Sequence, residues 1–382
     1  MRAKNLLRHS FLAVLSIAFS FAARAQDFGA STSTDGKGSV ESRSVVHVPN
    51  RPSTPLFQGE QGKQRTEFHF DPATQTVTIK MVVQDSNGYF IPNLRRDNFA
   101  VFENGVREQN ATVEIEHAPV SLAVLMEWGG RYLALNKALN DQVPRAAHQL
   151  LDELGPQDKI ALFRYGDRVD QIADFSTGRE ALNGLFTGLP KPEFSELNFY
   201  DALLSTVNFM KGVPGRKAIV VISSGVDTFS KAKYEDALAA ARSGGTPIYV
   251  IDIGPALRSS VDYSSAKSGP YARIDWKRAE SQLQELAQAS GGRLYSTDST
   301  FDLLGVYDDL MENLRVRYVI TYKSTSNGGS DSARSVRVEL IDPASGGPIE
   351  IVDADGKPVR SHLSFETSYV PAGAAISVAK QR

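Results

Sequence analysis

The chain has 382 residues, 41% of them hydrophobic and 23% charged, with a formal net charge of −2 and no cysteine. This is an ordinary globular composition with room for more than one domain, and it excludes disulfides, thiolate metal sites, a thiol nucleophile and lipid attachment through cysteine. Charge this close to balance also excludes a broad electrostatic footprint for nucleic acid or an anionic membrane.

At the N-terminus, Arg2, Lys4 and Arg8 precede the apolar run FLAVLSIAFSFA, and Ala23-Arg24-Ala25 supplies small residues at the spacing a signal peptidase reads. Residues 1–25 are expected to be a cleaved signal peptide that exports the chain to the periplasm or the extracellular space. The apolar run is shorter than the ~20 residues needed to span a bilayer, and no later stretch is apolar enough, so no membrane span is expected after cleavage. The leader holds four basic and no acidic residues, which leaves the mature chain at −6. Residues 26–64 are rich in Ser, Thr, Gly and Pro and are expected to be a disordered linker, because they bury too little apolar surface to offset the entropy of ordering.

From Thr76 short alternating runs begin, TVTIKMVVQ and NFAVF, punctuated by Asn87-Gly88 and Asn104-Gly105. Asn-Gly supplies the positive φ angles of tight hairpins, so residues 65–118 are expected to form an antiparallel β module. At Val120 the rhythm lengthens. VSLAVLM, KIALFRY, RKAIVVIS and TPIYVIDIG are continuous apolar runs, as expected of parallel strands covered on both faces by helices. Helices are expected over 132–154, 180–186, 199–211, 233–243 and 276–289, the first kinked or split at Pro144. The turn at Gly166-Asp167 predicts one antiparallel edge strand. Residues 119–316 therefore read as an α/β unit with a Rossmann-like, doubly wound, mostly parallel sheet. Its polar loop 255–273 follows a strand's carboxyl end, the side on which such sheets bind ligands, and reads more readily as a solvated insertion than as a ligand loop. After RLYSTD and a helix over 301–314, β rhythm returns. Residues 317–370 are expected to pack with the N-terminal β module, since neither group of strands is long enough for a core alone, and 371–382 to be a flexible tail.

The stretch LAVLMEWGG, Leu122 to Gly130, ends a buried strand on an acid, a tryptophan and two glycines. The chain has no Gly-x-Ser-x-Gly elbow, no phosphate-binding glycine loop and no paired-histidine zinc motif. Ser223 and Ser224 lie at a strand end before Gly225, where nucleophiles can occur, but no base is identifiable. A rim Trp128 reads either as a recognition anchor or as packing beneath a loop, and Phe194 and Tyr200 pose the same choice. Asp201 is expected to cap a helix and Asp227 to form a turn.

The ordered set VVQDSNGYFIPNLRRDNFAVFENG, LGPQDKIALFRYGDRV, FYDAL, GRKAIVVISSGVDTFS, ASGGRLYSTDS and LRVRYVITY resembles von Willebrand factor type A domains, in particular exported acidobacterial-type proteins that pair a β segment with an A domain. The resemblance implies a metal-ion-dependent adhesion site at the sheet's carboxyl-end rim. Its Asp falls on Glu127, its two serines on Gly129 and Arg131, its threonine on Leu197 and its last Asp on Ser224. None of the five is kept, and Mg²⁺ wants near-octahedral oxygen ligands at about 2.0–2.1 Å. Glu127 and Arg131 are therefore expected to pair in place of a cation. The expected function is an exported, non-catalytic and metal-independent protein-binding module without cofactor. It would use Glu127, Trp128, Gly129, Arg131, Leu197 and Ser224 together with the Phe194–Asn198 and Ser224–Thr228 loops. The alternatives are cation-dependent adhesion through a modified site, and a hydrolase using an unrecognised rim constellation.

Overall fold

A computed structural model describes residues 45–48, 66–86, 88–135, 137–192, 194–259, 274–296, 303–325, 332–361, 363–371 and 380–381. The expected signal peptide lies outside these residues, as do most of the expected linker and the part of the polar loop beyond Ser259.

The continuous apolar runs become the strands of a six-stranded sheet: β7 (Val120–Glu127), β8 (Lys159–Tyr165), β9 (Val169–Ala173), β10 (Arg216–Ser223), β11 (Ile248–Asp252) and β12 (Leu294–Ser296). Their order is β12-β11-β10-β7-β8-β9, with all pairs parallel except the edge pair β8–β9, which is antiparallel as the Gly166-Asp167 turn predicted. Side chains alternate across the sheet. Leu122, Val124 and Met126 of β7 enter one core with helices α2 (Lys137–Asp152), α3 (Arg179–Thr187) and α8 (Leu303–Arg315). Ala123 and Leu125 enter the opposite core with α4 (Phe199–Met210), α5 (Tyr234–Ser243) and α7 (Trp276–Ser290). This is the α/β doubly wound class expected from the sequence.

Two local expectations change. The first helical stretch divides into α1 (Gly130–Leu135) and α2, and α2 continues through Pro144 instead of breaking there. The expected loop 255–273 opens with a short helix, α6 (Gly254–Ser259), because Ala256 and Leu257 find a place in the core.

The remaining strands form a β sandwich around a third core. One sheet runs β2 (Glu67–Asp71), β3 (Thr76–Met81), β13 (Val316–Lys323), β6 (Thr112–His117); the other runs β17 (Lys380–Gln381), β16 (Ser364–Tyr369), β14 (Arg334–Leu340), β4 (Phe99–Glu103), β5 (Val106–Arg107). In each sheet a strand from beyond the α/β unit lies between strands that precede it or closes against them. The β4–β5 hairpin turns on Asn104 and Gly105, at φ 50° and 79°, the left-handed pair that Asn-Gly adopts at low cost.

Two terminal expectations need correction. Within the stretch 26–64, read as a disordered linker, β1 (Val45–His47) pairs in parallel with β15 (Glu350–Val352), and Val46 and Val48 are buried in the sandwich core. A four-residue alternation is enough to form a strand when a partner edge is waiting, and composition averaged over forty residues conceals it. Within 371–382, read as a tail, β17 pairs with β16.

The α/β unit and the sandwich meet through buried charge. Arg293, just before β12, donates from Nη1 to Asp309 Oδ2 of α8 at 2.7 Å, and both side chains are no more than 3% exposed. Arg293 Nη2 also donates to the Gly88 carbonyl of the sandwich, and Gln84 Nε2 donates to Asn313 Oδ1 at 2.6 Å. Tyr295 adds a second donor to Asp309 Oδ2 at 2.6 Å. Since α8 runs directly into β13, this network fixes the angle at which the chain re-enters the sandwich. Arg293→Met is expected to leave Asp309 buried without its counter-charge and to cost about 3–5 kcal/mol, read as a lowered urea midpoint.

Candidate functional site

The site is built at the carboxyl ends of the two central strands. Glu127 is the last residue of β7 and is 1% exposed. Its Oε2 accepts the Ser224 backbone N–H at 2.8 Å, the Ser224 hydroxyl at 2.8 Å and the Tyr165 hydroxyl at 3.1 Å, with Ser223 Oγ at 3.3 Å. Tyr165 and Ser223 also share a hydrogen bond of 2.7 Å. Burial raises the Glu127 carboxyl above the usual range, and the Ser224, Tyr165 and Ser223 donors oppose that shift.

The residues after Glu127 close over it. Trp128 donates its backbone N–H to the Tyr165 carbonyl and its indole N–H to the Pro190 carbonyl, each at 2.8 Å. A Cβ on Gly129 would stand 2.4 Å from Ser195 Oγ and 2.8 Å from Gly166 Cα, so three chain segments meet here only because the side chain is hydrogen. Gly130 has φ +79° and donates to Ser195 Oγ at 3.1 Å. Leu197 is 2% exposed and packs with Tyr165 and Phe199 in the core. Its N–H donates to Thr228 Oγ1 at 2.8 Å, and its carbonyl accepts the N–H groups of Thr228 at 2.8 Å and Phe229 at 3.1 Å. The loop before α4 and the loop after β10 are thereby laced together.

Of the residues singled out from the sequence, the fold brings Glu127, Trp128, Leu197 and Ser224 into this one place and buries the side chains of all four. The reason is local. A glutamate with four donors within reach gains more from inward hydrogen bonds than from water, and Leu197 is apolar. The Arg131 side chain lies outside the described residues, so the expected pairing with Glu127 is not on view; Glu127 draws its partners from β8 and β10. Asp227 forms the expected turn, its Oδ1 accepting Ser230 N at 3.2 Å, and its Oδ2 also accepts Tyr200 N at 3.1 Å in the first turn of α4. Asp201, expected to cap a helix, instead accepts Lys231 N and Ala232 N, each at 2.9 Å, and shapes the same loop. Phe194 and Phe229 are 71% and 66% exposed on the laced loops.

Sequence reasoning missed Tyr165 and Asp252, and reached Ser195 and Thr228 only as members of the two rim loops. Asp252 carried a signal, because IYVID ends a buried run on an acid just as LAVLME does. Asp252 is 1% exposed; its Oδ1 accepts Gly254 N at 2.7 Å, and its Oδ2 is buried without a hydrogen-bond partner among the described residues. Burial pushes its carboxyl up to about 7, with Glu127 and Glu280 adding repulsion and Gly254 N–H opposing.

Residues 136–309 match the family model of the von Willebrand factor type A domain. Residues 136–309 carry a von Willebrand factor type A domain. Domains of this family are adhesion and protein-interaction modules. The match begins beyond Glu127–Arg131. Among solved structures, the chain is similar to proximal thread matrix protein 1 of the mussel byssus, at 14% identity over 55% of this chain and 49% of that one, TM-score 0.40. It is also similar to BatB of Bacteroides thetaiotaomicron, at 17% over 51% and 98%, TM-score 0.36. A von Willebrand factor type A protein of Catenulispora acidiphila matches at 12% over 74% and 75%, TM-score 0.39. The chain spans about half the length of the mussel protein. No curated protein matches it.

A divalent ion at the type A rim needs several oxygen donors. Gly129 and Leu197 offer no side-chain oxygen, Glu127 Oε2 and the Ser224 hydroxyl are bonded to each other, and no group of three His, Cys, Asp or Glu among the described residues could hold a metal.

Because the folded-state pKa of Asp252 is raised, the stability held by its protonated form is complete below the unfolded value near 4 and is lost as pH rises through about 7. Asp252→Asn keeps the Oδ1 acceptor and removes this loss. The variant is expected to melt above the wild-type protein at pH 8 by a few kcal/mol (~1.4 per pKa unit), with the gap narrowing markedly at pH 5.

Proposed function

We propose that the mature chain is an exported, non-catalytic recognition module that binds a protein partner at the carboxyl-end rim of its type A domain without a divalent cation. The observation that carries this reading is the placement of Phe194 and Phe229. Both are large aromatics left largely in water, on two loops held together by the Leu197–Thr228 and Leu197–Phe229 hydrogen bonds. Exposed aromatics on pre-ordered loops are the usual anchors of interfaces, since little entropy remains to be lost on binding.

In this reading Glu127, Ser224, Leu197 and Trp128 act from below. The carboxylate takes the place of an ion as the element that ties the end of β7 to the end of β10, and the leucine seals it from water. A serine nucleophile is disfavoured by the same geometry, because Ser224 is 2% exposed and gives its hydroxyl proton to Glu127. Export rests on the leader at residues 1–25.

The test is affinity capture from the cell-envelope fraction, with the mature chain as bait beside its Phe194→Ser/Phe229→Ser variant, each with and without chelator. The expected result is a protein retained by the unaltered chain in chelator and lost from the variant. Loss of two aromatic anchors at roughly 2 kcal/mol apiece should weaken binding by about a thousandfold. Retention of the same protein by both baits would refute the role of the rim, and elution by chelator would refute metal independence.

A further inference from the structure

A cleft of about 630 Å³ opens beside the rim, between α2 and the end of α3 with its following loop. That volume lies in the ~300–1,000 Å³ range of small-molecule sites. Its apolar surface comes from Trp128, Pro144, Phe186 and Leu189. The rings are held in place: the Trp128 indole N–H is committed to the Pro190 carbonyl at 2.8 Å, and the Phe186 ring meets the His148 imidazole edge-on at 5.7 Å.

Polar groups converge on this apolar surface from both walls. Arg145 of α2 and Lys191 of the opposite loop are exposed, line the cleft and have no ion-pair partner among the described residues. Asp141 is the one acid among the described residues of the lining, and His148 is already turned to Asp152 at 3.3 Å. Deeper in, Asn140 Oδ1 is buried without a hydrogen-bond partner among the described residues. It lies one turn before Pro144, which has no N–H to offer the helix at that point. Two cations and one buried acceptor that lack partners among the described residues, with a fixed aromatic floor, make a complementary surface for a particular kind of molecule.

We propose that this cleft binds a small aromatic carboxylate that carries an amide or hydroxyl donor. The carboxylate sits between Arg145 and Lys191, the ring lies on Trp128 and Phe186, and the donor meets Asn140 Oδ1. Charge-assisted hydrogen bonds from guanidinium and ammonium to a carboxylate are the strong ones available to such a ligand, and the buried acceptor favours molecules that satisfy it. The site is separate from the partner surface on the laced loops, so each can fail without the other.

Trp128 lies in the cleft wall and is one of two tryptophans in the chain, so in a Trp276→Phe background its fluorescence reports on occupancy. The probe is N-acetyl-L-phenylalanine, and the control is its primary amide, which keeps the ring and the N-acetyl donor but lacks the charge. A saturable change in Trp128 emission with the acid is expected, weakened roughly tenfold or more for the amide and in Arg145→Ala/Lys191→Ala. Asn140→Leu is expected to weaken the acid as well, and Phe194→Ser/Phe229→Ser to leave it unchanged. Thermal unfolding of the unaltered chain should rise with the acid in parallel. No saturable change up to ~10 mM, a range that covers the weakest useful affinities, would overturn the proposal. So would equal binding of acid and amide, or an undiminished response in the Arg145/Lys191 variant when circular dichroism shows it folded.

Discussion

One buried oxygen organises the functional end of this molecule. Glu127 Oε2 accepts both the backbone N–H and the hydroxyl of Ser224, so the last residue of β7 and the first residue beyond β10 are held as one piece. In a parallel sheet the strands end side by side with their last carbonyls and the following loops unsupported, and something must tie the two central ends together. A carboxylate with Tyr165 and two serines supplies that tie from within the chain.

The closure above it follows from steric economy. Gly129 lets the Ser195 and Gly166 segments approach, Gly130 supplies the left-handed turn, and Leu197 fills the space over the acid while its backbone laces two loops together. A rim closed this way puts its chemistry beneath the surface and leaves its outer face to Phe194 and Phe229. The same inward packing makes Trp128 a wall of the neighbouring cleft, so one tryptophan links the end of β7 to a second, separately testable surface.

The polar junction at Arg293 has a parallel logic. A type A domain flanked by halves of a sandwich must return the chain at a defined angle, and hydrophobic contact alone is poorly directional. The guanidinium, with Asp309, Asn313 and the Gly88 carbonyl as partners, is directional, and it spans residues far apart in the chain. Asp252 shows the opposite case, a buried carboxyl with no ion-pair partner among the described residues.

Much of the architecture was legible because it is local. Four continuous apolar runs specify parallel strands, Gly166-Asp167 specifies the antiparallel edge, and Asn104-Gly105 specifies a hairpin, each through backbone and burial rules acting within a few residues. The short strand at Val45–His47 and the helix at Gly254–Ser259 were not legible, because a distant edge and a distant core stabilise them. At the site, the residue types alone determined that Gly129, Arg131 and Leu197 bring no side-chain oxygen to the rim. Whether Glu127 would face an arginine, water or a serine was decided by the register of β7 against β8 and β10, which sets Glu127 beside Tyr165 and brings the end of β10 within reach. Composition and spacing describe what a side chain is able to do; only tertiary packing, by removing water from one face and not the other, decides which of those things it does.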